Sequence, residues 1–151
     1  MLDIEDFKKS IGNKSRLLGI DPGKKRIGLA ISDEDKLVST PLKTILKKKN
    51  FHFIKEIKEI IEENNIKGIV VGNPLNMDGS KGSSSQSSND FARNLSNNIS
   101  IPVTMWDERL SSEGAFKLYG NIGVNTSKKI EKLDQNAASF ILQGVLDYLK
   151  R

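Results

Sequence analysis

The segment Ile66 to Gly72, with its uninterrupted Ile69-Val70-Val71, limits the possible folds more than any other feature, because stretches of helical period flank it. Three consecutive β-branched apolar residues suit a strand covered on both faces. Before it, Phe53, Ile54, Ile57, Ile60 and Ile61 recur at helical spacing between charged residues, which predicts an amphipathic helix from Phe51 to Asn64. After it, Phe91, Ala92, Leu95 and Ile99 fall on one helical face, and Ile101 to Trp106 reads as the next strand. Strand–helix–strand units require parallel pairing with right-handed crossovers, so helices must cover both faces of the sheet.

Upstream the pattern changes. Arg16 to Asp21 reads as a short buried strand, and from Lys25 to Asp33 the residues Ile27, Leu29 and Ile31 alternate with Gly28, Ala30 and Ser32. Asp21-Pro22-Gly23 forms a tight turn between them, and a third strand is expected at Leu37 to Thr40, ended by Pro41. Short turns between consecutive strands make an antiparallel meander. The expected result is an α/β protein with a mixed five-stranded sheet, three antiparallel strands followed by parallel ones, and helices on both faces.

Asn73 to Asn89, rich in Gly, Ser and Asn with a serine run from Ser83 to Ser88, is expected to be a mobile loop leading into a helix. Ser111 and Ser112 could cap a short helix holding Ala115, Phe116 and Tyr119, and Gly120 to Ser127 reads as a loop. The last helix carries Ala137, Ala138, Ile141, Leu142, Val145, Leu146 and Leu149 on one stripe and is expected to open at Asp134. At 151 residues, with no internal repeat, the chain has the size of one domain.

Composition narrows the chemistry. There is no cysteine and His52 is the one histidine, so a metal here would be held by carboxylates. No apolar run approaches the roughly 18 residues of a membrane span, and Met1 to Ser15 lacks the apolar stretch of a secretory signal, so a cytoplasmic protein is expected. A formal charge of +5 favours an anionic partner, nucleic acid being the natural candidate, although solubility alone could explain it. Lys24, Lys25 and Arg26 follow Asp21, and Lys128, Lys129 and Lys132 precede Asp134, so two basic clusters flank acidic residues. A third, Lys47 to Lys49, reads as a solvated turn.

Asp21 ends the first strand, where a carboxylate can project into a crevice and Gly23 leaves room for a phosphate backbone. Asp107 and Glu108 end a later strand, and because adjacent strand residues face opposite ways, only one of them can share a site with Asp21. Asp134 at a helix start would by itself read as an ordinary cap. Taken together, carboxylates from the first strand, a parallel strand and the last helix can converge on one sheet edge. Their hard oxygen ligands suit Mg²⁺ or Mn²⁺, and two such ions about 4 Å apart can activate water and stabilise a leaving oxygen in phosphodiester hydrolysis. Met105, Trp106, Phe116 and Tyr119 read as core, and His52 as structural.

Leu18-Gly19-Ile20-Asp21-Pro22-Gly23, with Arg26-Ile27-Gly28-Leu29-Ala30, resembles the opening of the YqgF/RuvX family. Three further blocks agree in family order: Val70-Val71-Gly72-Asn73-Pro74-Leu75-Asn76-Met77-Asp78-Gly79, then Trp106-Asp107-Glu108-Arg109-Leu110-Ser111, then Asp134-Gln135-Asn136-Ala137-Ala138 through Ile141-Leu142-Gln143. The resemblance covers residues 15–151 and leaves 1–14 as an N-terminal extension. It implies an RNase H-like fold, the topology that the element order describes. It also implies a catalytic and metal-binding triad of Asp21, Glu108 and Asp134, with Glu108 favoured over Asp107. The implied activity is that of a nuclease for the 5′ end of pre-16S ribosomal RNA, or of a Holliday junction resolvase acting on four-way DNA. Two features depart from the family pattern: Asn73 replaces an apolar residue, and the Ser83 to Ser88 run replaces a more charged loop.

Lys24, Arg26, Arg109, Lys128 and Lys129 neighbour the acidic positions and are the candidates for nucleic-acid contacts, with solvated surface as the alternative. A ribosomal partner would suit the same basic clusters, and the chain is expected to act as a monomer or homodimer. Two other classes compete. A phosphate-binding ATPase half of the actin or sugar-kinase kind also begins with Asp-x-Gly, but the chain supplies only one lobe. A non-catalytic RNA-binding or transcription-associated protein could keep the same fold, although all three carboxylates are present.

Overall fold

The computed structural model describes residues 1–73, 83–107 and 126–150, with the side chains of 83–85 and 126–134 outside the description. Its elements are α1 (Ile4–Ser10), β1 (Arg16–Pro22), β2 (Arg26–Ser32), β3 (Ser39–Leu46), α2 (Asn50–Asn64), β4 (Ile66–Asn73), α3 (Ser83–Asn98), β5 (Val103–Asp107) and α4 (Thr126–Leu149). The five strands form one sheet in the order β3-β2-β1-β4-β5. β1 is antiparallel to β2 and β2 to β3, while β1 pairs parallel with β4 and β4 with β5. This is the mixed sheet expected from the sequence.

The strand alternation divides the core in two. Leu18 and Ile20 of β1, Ile27 and Leu29 of β2, Ile69 and Val71 of β4 and Val103 of β5 pack with Phe53, Ile57 and Ile60 of α2 and Ala92 and Leu95 of α3. On the opposite face, Leu17, Ala30 and Val70 pack with Phe7 and Ile11 near α1 and with Ala138, Ile141, Leu142, Val145 and Leu146 of α4. The trio Ile69-Val70-Val71 is fully buried because its members serve both cores in turn. No described helix is long and apolar enough to cross a membrane.

Three boundaries differ from expectation. β3 runs from Ser39 to Leu46 through Pro41, instead of ending there. It is the edge strand, where a missing N–H is tolerated, and the register slips between Leu29 and Ala30 so that Leu42 is an extra residue opposite them. α3 begins at Ser83, so the serine run expected as a loop is helical; residues 74–82 lie outside the description. Its buried Ala92 and Leu95, with buried Ile99 just beyond its end, supply the packing that outweighs the poor helix propensity of serine. α4 begins at Thr126, eight residues before Asp134. Only Ile130 and Leu133 continue the apolar period in that first part, too sparse a stripe to announce a helix from pattern alone. The expected short helix at 111–119 lies outside the described residues.

Within residues 1–14, Phe7 and Ile11 are buried in this second core and Leu2 and Ile4 pack against it. Asp3 caps α1 by accepting from the Asp6 amide at 2.8 Å, and Leu2 forms a parallel bridge to Thr104 beside β5. Phe7 and Ile11 lie so close over Gly68 that a Cβ there would sit 2.8 Å from Phe7 Cζ and 2.9 Å from Ile11 Cγ2.

Candidate active site

Asp21 is half-buried, one residue from the carboxyl end of β1, the middle strand of the sheet. Pairing sets its surroundings. Gly28 of β2 lies directly opposite, and one further step of the β1–β4 register, after Ile20 and Val71, puts Gly72 on the other side. Asp21 is thus flanked on both neighbouring strands by residues without side chains, which leaves space beside its carboxylate at a sheet edge.

The alternation assigns Asp21 to a face. Leu17 packs against α4 and Gly19 lies under it, so Asp21, two residues further, shares that face. Arg26 shares it too, being four residues from Ala30, and it is half-buried at the first position of β2. Lys24 lies exposed in the β1–β2 turn. That turn is closely packed: a Cβ on Gly23 would stand 2.3 Å from the Arg26 carbonyl oxygen, so only glycine fits.

In β5, Val103 and Met105 belong to the α2/α3 core, and Trp106 to the α4 core, where its ring meets Tyr148 at 5.5 Å. Asp107 therefore falls on the α2/α3 face, beside its register partner Asn73 and away from the face of Asp21. Glu108 and Arg109 lie outside the described residues. Met105 and Trp106 are core residues, as expected, while Phe116 and Tyr119 fall outside the description. His52 is exposed on α2, edge-on to Phe51 at 5.5 Å.

Asp134 is in the interior of α4, not at its start. Its position within the helix rules out the N-cap alternative, which needs a flanking residue with non-helical backbone. Residues 134, 138 and 142 follow one another at i+4 spacing, and Ala138 and Leu142 sit directly over Gly19 of β1. A Cβ on Gly19 would stand 2.8 Å from Leu142 Cβ and 3.1 Å from the Ala138 carbonyl oxygen. Further along α4, Ser139 and Gln143 bond to Ser39, and Gln143 and Lys150 reach the Leu37 carbonyl. The helix therefore runs against β3, and its amino half heads for the end of the sheet where β3 finishes and Asp21 sits. Lys128 and Lys129 lie in that amino half; their side chains are not described.

Among the described residues, no three carboxylate or imidazole groups come together as a metal site. Of the three expected ligands only the Asp21 side chain is described, so the donor set is judged by its chemistry: carboxylate oxygens suit a hard divalent cation.

On the α2/α3 face the β1–β2 turn opens into a cleft of about 240 Å³ lined by Pro22, Gly23, Lys24, Lys47, Ser87 and Phe91. The reading of Lys47 to Lys49 as a solvated turn did not foresee this; all three are exposed, but Lys47 also faces a cleft. No local signal could show it, because Lys47, just after β3, and Ser87 and Phe91 of α3 come together there only through tertiary packing.

Comparison with known proteins agrees over nearly the whole chain. A protein from Pelagibacter ubique named "Putative pre-16S rRNA nuclease" is 55% identical over 99% of both chains. One of the same name from Methylocella silvestris is 40% identical over 100% of this chain and 94% of its own. Among solved structures, Thermus thermophilus RuvC in complex with a Holliday junction substrate superposes with a TM-score of 0.55 over 89% of this chain and 95% of its own, at 13% identity. That likeness is one of fold and bears out the RNase H-like arrangement expected from the sequence. With residues 15–148 matching the family model described as "RuvX: Holliday junction resolvase", the chain belongs to the RuvX family.

Proposed function

We propose that the chain is a metal-dependent endonuclease that hydrolyses phosphodiester bonds at the 5′ end of pre-16S ribosomal RNA, with Asp21, Glu108 and Asp134 as its catalytic carboxylates. The observation that carries this reading is Asp21 itself: a half-buried carboxylate on the middle strand, flanked by Gly28 and Gly72, on the face that α4 covers. The orientation of α4 supports Asp134, and the placement of Asp107 on the other face argues for its neighbour Glu108. The names of the relatives from Pelagibacter and Methylocella favour ribosomal RNA as substrate.

Asp21, Glu108 and Asp134 would hold Mg²⁺ or Mn²⁺. When bound, such ions supply a Lewis acid and an activated water for in-line displacement. The chain's own contribution is position and charge. Packing on both sides holds β1 rigid, so the Asp21 carboxylate is oriented before substrate arrives. The glycines beside it let a phosphate approach. Arg26 on the same face, Lys24 in the turn, and Arg109, Lys128 and Lys129 would offset the repulsion between an acidic centre and a polyanion. On this reading the protein works in the cytoplasm on a ribosomal precursor, as a monomer or homodimer.

The second reading, cleavage of four-way DNA, is favoured by the family's description and by the fold likeness to RuvC. Both are tested together. Precursor 16S leader RNA and a DNA four-way junction are incubated with wild type and Asp21→Asn in Mg²⁺, Mn²⁺ or EDTA. Metal-dependent cleavage of the RNA, lost in the variant while its melting temperature and RNA binding persist, is expected. Preferential cleavage of the junction would transfer the assignment to DNA. An active Asp21→Asn enzyme would remove Asp21 from the mechanism, and no cleavage of either substrate would leave a nucleic-acid-binding protein.

A further inference from the structure

The cleft beside the β1–β2 turn does not end there. It continues past Lys47, Ser87 and Phe91 into a second cleft of about 410 Å³ that reaches Lys48, Asn50 and Asn94, so one groove runs from the turn along the gap between α3 and the connection from β3 into the start of α2. Its near end is Pro22, the residue after Asp21, and strand alternation turns Pro22 to the α2/α3 face. The groove thus begins where the catalytic edge ends, on the opposite side of the sheet.

Its lining has the chemistry of a polyanion track. Lys24 and Lys47 both face the first cleft, are exposed, and make no ion pair among the described residues. Ser87 and Asn94 add neutral polar groups. Phe91 lines both clefts and is only half-buried; its ring leans on the buried Phe53 at 5.1 Å, which fixes it without covering it. Lysines beside a fixed aromatic face are what an unpaired strand requires, phosphates taking the charge and a base taking the ring. Among the described residues, negative charge enters only in the far half, where Asp90 lines the wall and Glu56 holds Lys48 at 2.7 Å.

We propose that this groove carries a single strand of nucleic acid away from the catalytic edge, with Lys24 and Lys47 on its phosphates and Phe91 as a stacking surface for one base. The proposal rests on the nuclease reading and extends it by assigning the flanking nucleotides a path and a side of the sheet.

The test measures binding of a labelled single-stranded RNA and a blunt duplex of equal length to the full chain in EDTA, from about 50 to about 200 mM salt. The proteins are wild type, Lys24→Ala/Lys47→Ala, and Lys14→Ala/Lys67→Ala, which removes the same charge at the amino ends of β1 and β4. Every phosphate of a single strand that is no longer neutralised lowers the salt slope by about 0.7, so the groove variant should lose about sevenfold less affinity than wild type over that range. The control variant should follow wild type. Phe91→Leu, which keeps an apolar contact with Phe53, should bind the single strand about tenfold more weakly with its melting temperature held. A wild-type slope in the groove variant, an equal fall in the control, or an equal loss on duplex and single strand would overturn the proposal. Failure of the nuclease reading would show separately, as absence of metal-dependent cleavage by wild type, with the binding comparison still decisive for the groove.

Discussion

Replacing Gly19 with alanine should lift α4 off the sheet and disable the enzyme without touching any of the proposed metal ligands. The new methyl would stand 2.8 Å from Leu142 Cβ and 3.1 Å from the Ala138 carbonyl oxygen. Neither can yield easily, since Leu142 and Ala138 are both fully buried and one of the two clashing groups is helix backbone. Overpacking of this kind costs about 1–3 kcal/mol, and the entropy that alanine removes from the unfolded chain returns about 0.4–1 kcal/mol. At the middle of these ranges the net loss is about 1.3 kcal/mol, which for a domain of this size lowers the melting temperature by roughly 3–5 °C. The relief available is a shift of α4 by a few tenths of an ångström or more. That shift would move Asp134, one turn before Ala138, relative to Asp21, and a displacement near 1 Å can cost about a hundredfold in rate. Thermal denaturation by circular dichroism and single-turnover RNA cleavage at saturating Mn²⁺ would measure the two effects. A Gly19→Ala protein as stable and as active as wild type would refute both the tight α4–β1 packing and its part in aligning the site.

Other perturbations probe other parts. Phe7→Ala should cost about 3–5 kcal/mol in denaturant unfolding, because Phe7 is fully buried beneath Gly68; a loss below about 1 kcal/mol would show that α1 is not part of the core. Lys48 bonds Glu56 at 2.7 Å and Lys43 lies 3.3 Å away, and together, Lys48 foremost, they hold the Glu56 carboxyl below the usual carboxylate range. Glu56→Gln should therefore release positive charge beside the groove and steepen the salt dependence of RNA binding by up to about 0.7 per lysine freed, while an unchanged or flatter slope would argue against it. The same pairing is lost in the wild type as pH falls through the lowered Glu56 value, so the difference between wild type and Glu56→Gln should narrow in acid.

Much of the fold can be read directly from residue order. The buried trio Ile69-Val70-Val71, the alternation in β2 and the helical stripes around β4 determine which segments are strands and helices, and short connections make the first three strands antiparallel. The candidate carboxylates and the absence of cysteine also follow from the residues alone, because ligand chemistry depends on side-chain type. The sequence pattern failed where long-range packing outweighs local preference. Pro41 continues a strand because β3 is an edge, Ser83 to Ser88 is helical because the residues beyond it are buried, and α4 reaches back to Thr126 where its own apolar stripe is thin. Only the tertiary structure separated Asp107 from the face of Asp21 and placed Gly28 and Gly72 on either side of that carboxylate. It also brought Lys24, Lys47 and Phe91, from three different parts of the chain, into one groove. The physical reason is that period and propensity act between neighbours in the chain, whereas a site is set by strand register and helix packing between residues far apart in sequence.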